Sequence, residues 1–379
     1  MVGGSNRTVL NDLETFHEYG SDIIVATPGR LDDVLSRYEN INVKSSFECL
    51  ILDEGDVLLD MGFEQTVSSI LRKLPKMRRT GLFSATQTKA VKALGRAGLR
   101  NPVMVSVAVA SAVNKEDNTA SNNKSPSSAN VIQPTEQATP TSLTNYYMVC
   151  PLEEKLSRLV AFLNQHQKEK AVVFCLSCAV VEFIGCVLQQ IPEIKHRYLE
   201  ALHGKMVQKK REKVLERFRE CKSGGALFCT DVAARGLDVA DVDWVVQLDA
   251  PPDPSSFVHR VGRCARAGRS GKSLIVLTPA ENAYVDFLRM RKIPVDILPD
   301  TEECLPSKES HIKKSASQKD GSIEENRLIS SVFGGTLPDV LPSVKALVLQ
   351  DRDALEKGTK AFTSYIRAYK EHQCSFIFR

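Results

Sequence analysis

The sequence predicts an α/β protein with two parallel sheets and a helical piece at its C-terminal end. Three observations predict this. Short apolar runs alternate with helical patterns from the start to about residue 107, and the same rhythm returns from 143 to 298. The segment between them, 108–142, is rich in Ser, Asn, Thr and Pro and nearly free of large apolar residues. Such a segment cannot bury enough surface to offset its ordering entropy, so it reads as a flexible linker.

In the first stretch, "DIIVATP", "CLILDE", "TGLFSAT" and "PVMVSV" read as strands, with helices at "GRLDDVLSRY" and "EQTVSSILRKL". In the second, the strands are "KAVVFCL", "RYLEALHG", "GALFCTD", "WVVQLDAP" and "SLIVLTP". Helices fall at "KLSRLVAFLNQH" and "QKKREKVLERFREC". A polar linker, 299–326, leads to a C-terminal piece at 327–379, where Leu355, Phe362, Ile366 and Tyr369 fall on one helical face. That face either packs on its own domain or docks a partner.

The length of 379 residues suits two domains and an appendage. Hydrophobic residues at 42% and charged residues at 25% are those of a globular protein, and the net charge of +4 is too mild to act as a basic tail. Any nucleic-acid contact must therefore come from local placement. Of ten cysteines only Cys175 and Cys178 form a C-x-x-C, with no second pair at metal spacing, so both read as small core residues rather than zinc ligands. With no signal peptide and no apolar run of membrane-spanning length, the expectation is a soluble protein of a reducing compartment.

Chemistry concentrates at the ends of the predicted strands. "CLIL" runs into Asp53–Glu54, with Asp56 two places on. At the C-terminal edge of a parallel strand such carboxylates suit a hard cation such as Mg²⁺ and an attacking water, although acidic pairs there are also common solvated turns. "SAT" (Ser84 to Thr86) ends the next strand, within reach of Asp56, and "TPGR" (Thr27 to Arg30) ends another. "TDVAARGLD" (Thr230 to Asp238) places a hydroxyl, an arginine and a carboxylate after "GALFC". In "HRVGRCARAGR", Arg260, Arg263, Arg266 and Arg269 recur every third residue, so several guanidiniums are expected on one side, suited to phosphoryl-transfer charge or an RNA backbone. A basic surface face is the plainer alternative.

Taken in order, Gly3–Gly4, "TPGR", "DEGD", "SAT", "LHGKMVQKKR", "TDVAARGLD" and "HRVGRCARAGR" resemble the DEAD-box family of ATP-dependent RNA helicases over almost the whole chain. "EKGTKAFTSYIRAYKEHQCSFIFR" resembles the extension of a narrower branch that acts in nucleolar large-ribosomal-subunit assembly. The resemblance implies two RecA-like domains with ATP hydrolysed between them, Asp53 and Glu54 serving magnesium and water, and Arg263 and Arg266 as arginine fingers. It implies Gly236 and Asp238 at the nucleotide, and Asp56, Ser84, Thr86 and His259 coupling ATP state to RNA. It places Gly4, Thr27, Gly29, Arg30, His203, Gly204, Gln208, Arg211 and Thr230 in motifs that face RNA. The implied cofactors are ATP and Mg²⁺. The implied partners are pre-ribosomal RNA and particle proteins, engaged by a monomer in the nucleus and nucleolus.

Two departures stand out. Gly55 replaces the family's Ala in the acidic motif, with little expected effect. The family's phosphate-binding loop is not found, since "GRSGKS" (Gly268 to Ser273) leads into a strand rather than out of one. The expectation is an N-terminally incomplete first domain, with "CLIL" on an open sheet edge. A catalytically dead RNA-binding or assembly fragment is the alternative function, and a DNA helicase a third.

Overall fold

A computed structural model describes residues 8–37, 47–60, 62–84, 89–105, 142–194, 197–231, 242–253, 255–265, 269–298 and 337–378. The predicted linkers at 108–142 and 299–326 fall outside these residues except for Ser142, as do Gly4, Thr86, Gly236, Asp238 and Arg266. The chain divides into two units, Met1–Ser106 and Val107–Arg379.

The first unit runs α1 (Val9–Tyr19), α2 (Pro28–Arg37), β1 (Cys49–Leu52), α3 (Gly55–Asp60), α4 (Glu64–Lys73), β2 (Arg79–Leu82) and α5 (Lys89–Gly98). Thr8 caps α1 by accepting the Asn11 N–H, and Pro28 opens α2, where a missing N–H costs nothing. β1 and β2 pair in parallel from Cys49 opposite Arg79 to Leu52 opposite Leu82. Leu50 and Leu52 point into a small core with Val67, Ile70, Leu74 and Leu94.

Four strands were expected here, and the described residues form two. The stretches at "DIIVATP" and "PVMV" lie outside the sheet, leaving Ile23, Val25, Val103 and Val105 about four-fifths exposed, at 81%, 79%, 89% and 80%. Apolar strands of a parallel sheet need cover on both faces, and these lack it. On β1 itself Ile51 is 56% exposed, in line with an open edge. Heating this chain is therefore expected to give two transitions, the first unit melting or aggregating first. Comparing calorimetry with the fluorescence of Trp244, the sequence's single tryptophan, which lies in the second unit, checks this. One cooperative, reversible transition seen equally by both would contradict it.

The second unit begins with β3 (Leu143–Val149), a 3₁₀ turn (Leu152–Glu154), α6 (Lys155–Gln165), β4 (Lys170–Phe174) and α7 (Cys178–Leu188). It continues through β5 (Leu199–Leu202), α8 (Gln208–Glu220), β6 (Gly225–Cys229), β7 (Trp244–Gln247), α9 (Ser255–Val261) and β8 (Gly271–Leu277). A second 3₁₀ turn (Pro279–Glu281), α10 (Ala283–Met290) and β9 (Asp296–Ile297) complete the sheet, and α11 (Leu341–Gln350) and α12 (Arg352–Lys370) follow. All seven strands are parallel, in the order β5-β6-β4-β7-β8-β3-β9. The five predicted strands are all present. β3 and β9 are additions, the former an amphipathic run with Leu143, Asn145 and Met148 buried.

Side chains alternate between two cores, one on each face of this sheet. Val172, Phe174, Leu227 and Val245 feed one, and Ala171, Val173, Phe228 and Val246 the other. The C-terminal piece reaches both. Val340 and Ala361 are buried in the second core with Val344, Leu347 and Tyr365 against it, while Cys374, Ile377 and Phe378 are buried in the first. α12 packs along α7, with Gly358 close enough that a Cβ there would sit 3.1 Å from the Phe183 ring. The helix thus docks through Ala354, Ala361 and Tyr365, and of the four residues read from the sequence Tyr369 alone packs on the domain. Leu355, Phe362 and Ile366 stay 49%, 70% and 41% exposed, because the small residues one position away allow closer approach to α7.

Candidate functional site

In the first unit the acidic turn is pinned to the end of β2. Phe83 N–H donates to the Leu52 carbonyl at 2.8 Å, and Gly55 N–H donates to the Phe83 carbonyl at 2.9 Å. Glu54 is bent into the left-handed region at φ 48°, a conformation that costs a non-glycine residue about 1 kcal/mol. This strain lies at the carboxylate pair itself, where functional sites commonly hold it. Asp53 accepts the Glu54 N–H at 2.9 Å, and both side chains are exposed. A Cβ on Gly55 would lie 2.6 Å from a terminal methyl of Leu82, so an alanine there requires that side chain to turn. Asp56, 1% exposed, accepts the Val57 N–H at 3.0 Å.

Ser84 is exposed just past β2. Thr27 precedes α2, its carbonyl accepting the Leu31 N–H at 3.0 Å, and Gly29 has open space around it. Arg30 is held inward by Asp12 on α1 at 3.7 Å, both side chains being under 10% exposed at 9% and 7%. Two adjacent exposed carboxylates offer the oxygen donors that Mg²⁺ prefers, and they leave room for the waters it retains. The first unit's residues therefore fit that ion.

In the second unit the residues singled out gather at the C-terminal ends of adjacent strands, the edge where open α/β sheets bind ligands. His203 and Gly204 follow β5, and Thr230 and Asp231 follow β6. Burial lowers the His203 pKa, so its ring is neutral near pH 7, and its Nδ1 finds no hydrogen-bond partner among the described residues. Thr230 Oγ1 is likewise buried without one. On the first turn of α8, Gln208 binds Glu212 at 2.9 Å and Arg211 approaches Gln208 at 3.4 Å.

α9 corrects the picture of one basic face. Its helix ends at Val261 after seven residues, so a spacing of three does not keep the arginines together. Arg260 is 1% exposed and turned into the core. It grips Asp231 with two bonds, Nε to Oδ1 at 2.6 Å and Nη2 to Oδ2 at 2.8 Å. Its Nη1 donates to the Asp249 carbonyl at 2.8 Å, and its guanidinium lies 5.0 Å from the Phe174 ring. Burial alone would lower its pKa, but Asp231 outweighs this and raises it. Arg263 is half-buried, its Nε donating to the His259 carbonyl at 3.1 Å, and Arg269 is exposed just before β8. Cys175 is buried as expected, whereas Cys178 is only half-buried at the start of α7.

A buried ionic cluster lies beyond what sequence reasoning found. Lys155 Nζ sits 3.4 Å from Glu281 Oε2 and 3.9 Å from Asp249 Oδ1, all three under 10% exposed at side-chain values of 7%, 4% and 7%. Burial pushes both carboxyls up. At Glu281 the nearer Lys155 and the Thr278 N–H outweigh it and hold the pKa low, whereas at Asp249 burial prevails. Tyr365 donates to Asp249 Oδ1 at 3.3 Å and Tyr369 to Glu281 Oε1 at 2.8 Å. These partners are up to 126 residues apart in the chain, and no local pattern announces them.

His372 closes the tail, stacked 3.6 Å from the Phe378 ring, with Nδ1 accepting the Cys374 N–H at 3.1 Å. Burial pushes its pKa down to about 4. A histidine depressed on folding binds its proton more readily when unfolded, so stability rises with pH. The contribution is complete above about 6.5 and is lost as pH falls toward about 4, by on the order of 3 kcal/mol. Urea unfolding of the second unit should weaken over this window in the native chain and weaken less in His372→Asn. Identical pH profiles would contradict the assignment.

Three family models match in chain order. They are DEAD/DEAH box helicase over residues 1–94, helicase conserved C-terminal domain over 154–268, and the C-terminal extension of SPB4-like ATP-dependent rRNA helicases over 351–379. The chain belongs to the DEAD-box helicase family. Relatives agree along its full length: it is 43% identical to DEAD-box ATP-dependent RNA helicase 18 of Arabidopsis thaliana over 379 residues, covering 55% of that protein. It is 43% identical to human ATP-dependent RNA helicase DDX55 over 383 residues, covering 54%. The chain thus spans about half the length of these curated relatives. Among solved structures, Mss116p bound to single-stranded RNA and AMP-PNP matches with a TM-score of 0.64, 22% identity, 98% of this chain and 65% of that one. Dbp5 of S. cerevisiae bound to RNA and ADP BeF3 gives a TM-score of 0.59, 23% identity, 75% of this chain and 67% of that one. At these identities the structures establish the fold, that of the two-domain RecA-like helicases with C-terminal helices.

Proposed function

We propose that this chain carries the catalytic and RNA-binding elements of an ATP-dependent RNA helicase that remodels ribosomal RNA during large-subunit assembly in the nucleolus. The observation that carries the activity is the strained Asp53–Glu54 turn at the end of a parallel strand, within a chain 43% identical along its length to ATP-dependent RNA helicases. The ribosomal assignment is supported by the match of residues 351–379 to the SPB4-like rRNA helicase extension.

Asp53 would hold Mg²⁺, with Glu54 beside it orienting the attacking water. The ion, when bound, screens the phosphate charge and fixes the phosphate oxygens. Arg263 supplies a guanidinium to the charge that develops on the γ-phosphate, joined by Arg266. Thr230 and His203 offer polar atoms at the sheet edge that have no partner among the described residues. Gly204 and Gly29 allow close backbone approach, a pattern that favours sugar–phosphate contacts over base reading. Asp238 and Gly236 complete the proposed nucleotide contacts, Asp56, Ser84, Thr86 and His259 couple them to RNA, and Gly4, Thr27, Arg30, Gln208 and Arg211 extend the RNA track.

The test is RNA-stimulated ATP hydrolysis by this chain and its Asp53→Asn variant. The reading expects RNA-dependent phosphate release that the variant abolishes while still binding RNA. RNA binding with no hydrolysis in either form would leave a binding module instead.

A further inference from the structure

The C-terminal extension changes sheet face where β7 and β8 end. Up to Tyr365 it packs on one core, and from Tyr369 onward it packs on the other. At the crossing it grips the segment that follows β7. Tyr365 binds the Asp249 carboxylate at 3.3 Å, and Gln373 N–H donates to the Pro252 carbonyl at 3.0 Å. Tyr369 anchors the same crossing to Glu281 at 2.8 Å, and Lys155 bridges Glu281 and Asp249 from within.

The other side of this segment holds α9. Arg260 donates to the Asp249 carbonyl at 2.8 Å, so one residue takes the extension through its carboxylate and the arginine helix through its backbone. Asp253, one residue past the Gln373 contact, accepts the Ser255 N–H at 2.9 Å and the Ser255 hydroxyl at 2.5 Å, fixing where α9 starts.

We propose that Tyr365 and Tyr369 are positioning residues: by holding residues 249–253 they set the placement of α9 and hence of Arg263. The catalytic consequence rests on the reading of Arg263 as a phosphate-binding group, whereas the placement of α9 does not. The extension is on this view part of the arginine site's scaffold, not a separate appendage.

The test compares the native chain with the double variant Tyr365→Phe, Tyr369→Phe, which keeps both rings and removes both hydroxyls. Ala354→Gly is the control, because it loosens α12 at a fully buried point away from Asp249 and Glu281. Hydrogen exchange is followed at residues 255–265 and at 170–174, alongside RNA-stimulated hydrolysis. The double variant should exchange about fivefold faster at 255–265, the effect of a lost hydrogen bond of ordinary strength, and unchanged at 170–174. Its kcat should fall by a similar factor with KM for RNA unchanged, and the control should do neither. Unaltered exchange at 255–265, or equal acceleration at 170–174 or in the control, would overturn the proposal. If no form hydrolyses ATP, the exchange comparison still decides the positioning, and it is the reading of the reaction that has failed.

Discussion

Arg263→Ala is expected to lower RNA-stimulated ATP hydrolysis by about 10³-fold or more while leaving the second unit folded, because a guanidinium aimed at the transferred phosphoryl group commonly contributes about 10³–10⁵ in rate. Arg263 is half-buried and follows the short α9, with Nε on the His259 carbonyl. Losing the bond to the His259 carbonyl should cost about 1 kcal/mol in stability, that of an ordinary hydrogen bond. Arg260, three residues earlier, has the opposite profile. It is enclosed and bonded to Asp231, Gln247 and Asp249, so its loss should lower the stability of the unit rather than act on the chemical step. Phosphate release under saturating RNA, with Trp244 fluorescence as the folding control, separates the two. A variant at Arg263 that keeps most of its activity would remove that residue from the chemistry. Arg263→Lys should recover little, since an ammonium lacks the planar fork that meets two phosphate oxygens at once.

The two arginines also show how far the sequence was legible. Period and composition identified the strands of the second unit, because a strand buried on both faces reads as an unbroken apolar run. They missed β3, whose "LTNYYMV" carries polar residues, among them Asn145, buried and donating to the Pro294 carbonyl at 3.0 Å. In the first unit the apolar runs at "DIIVATP" and "PVMV" were read as strands, yet a strand needs a neighbour as well as propensity, and there they stay outside the sheet. Acidic residues at a strand end were readable because the chemistry is local. The inward turn of Arg260 was not, since it depends on Asp231 and Asp249 converging from two other strand ends. The docking face of α12, Tyr369 apart, differs from the helical wheel for a related reason. A helical wheel ranks residues by hydrophobicity, whereas close packing on α7 selects the small Ala354, Gly358 and Ala361.

Asp231→Ala should destabilise the second unit by about 3 kcal/mol, near the lower end of what breaking a buried ion pair costs. The cost arises less from the lost attraction than from what is left behind. Arg260 remains charged, 1% exposed and against the Phe174 ring, with two of its five N–H donors newly unsatisfied. Asp231 itself is 26% exposed, so water can enter the gap and solvate part of the guanidinium, which keeps the figure from the upper end. Asp231→Asn keeps an acceptor oxygen and should cost roughly half as much. A cycle combining Asp231→Ala with Arg260→Met should show coupling of about 2 kcal/mol or more, because the double variant no longer buries a lone charge. Urea unfolding read at Trp244 measures all four forms. Additive losses, or an Asp231→Ala cost under about 0.5 kcal/mol, would mean that the pair behaves as a solvated surface contact. Arg260 would then hold α9 through the Asp249 carbonyl and Gln247 alone.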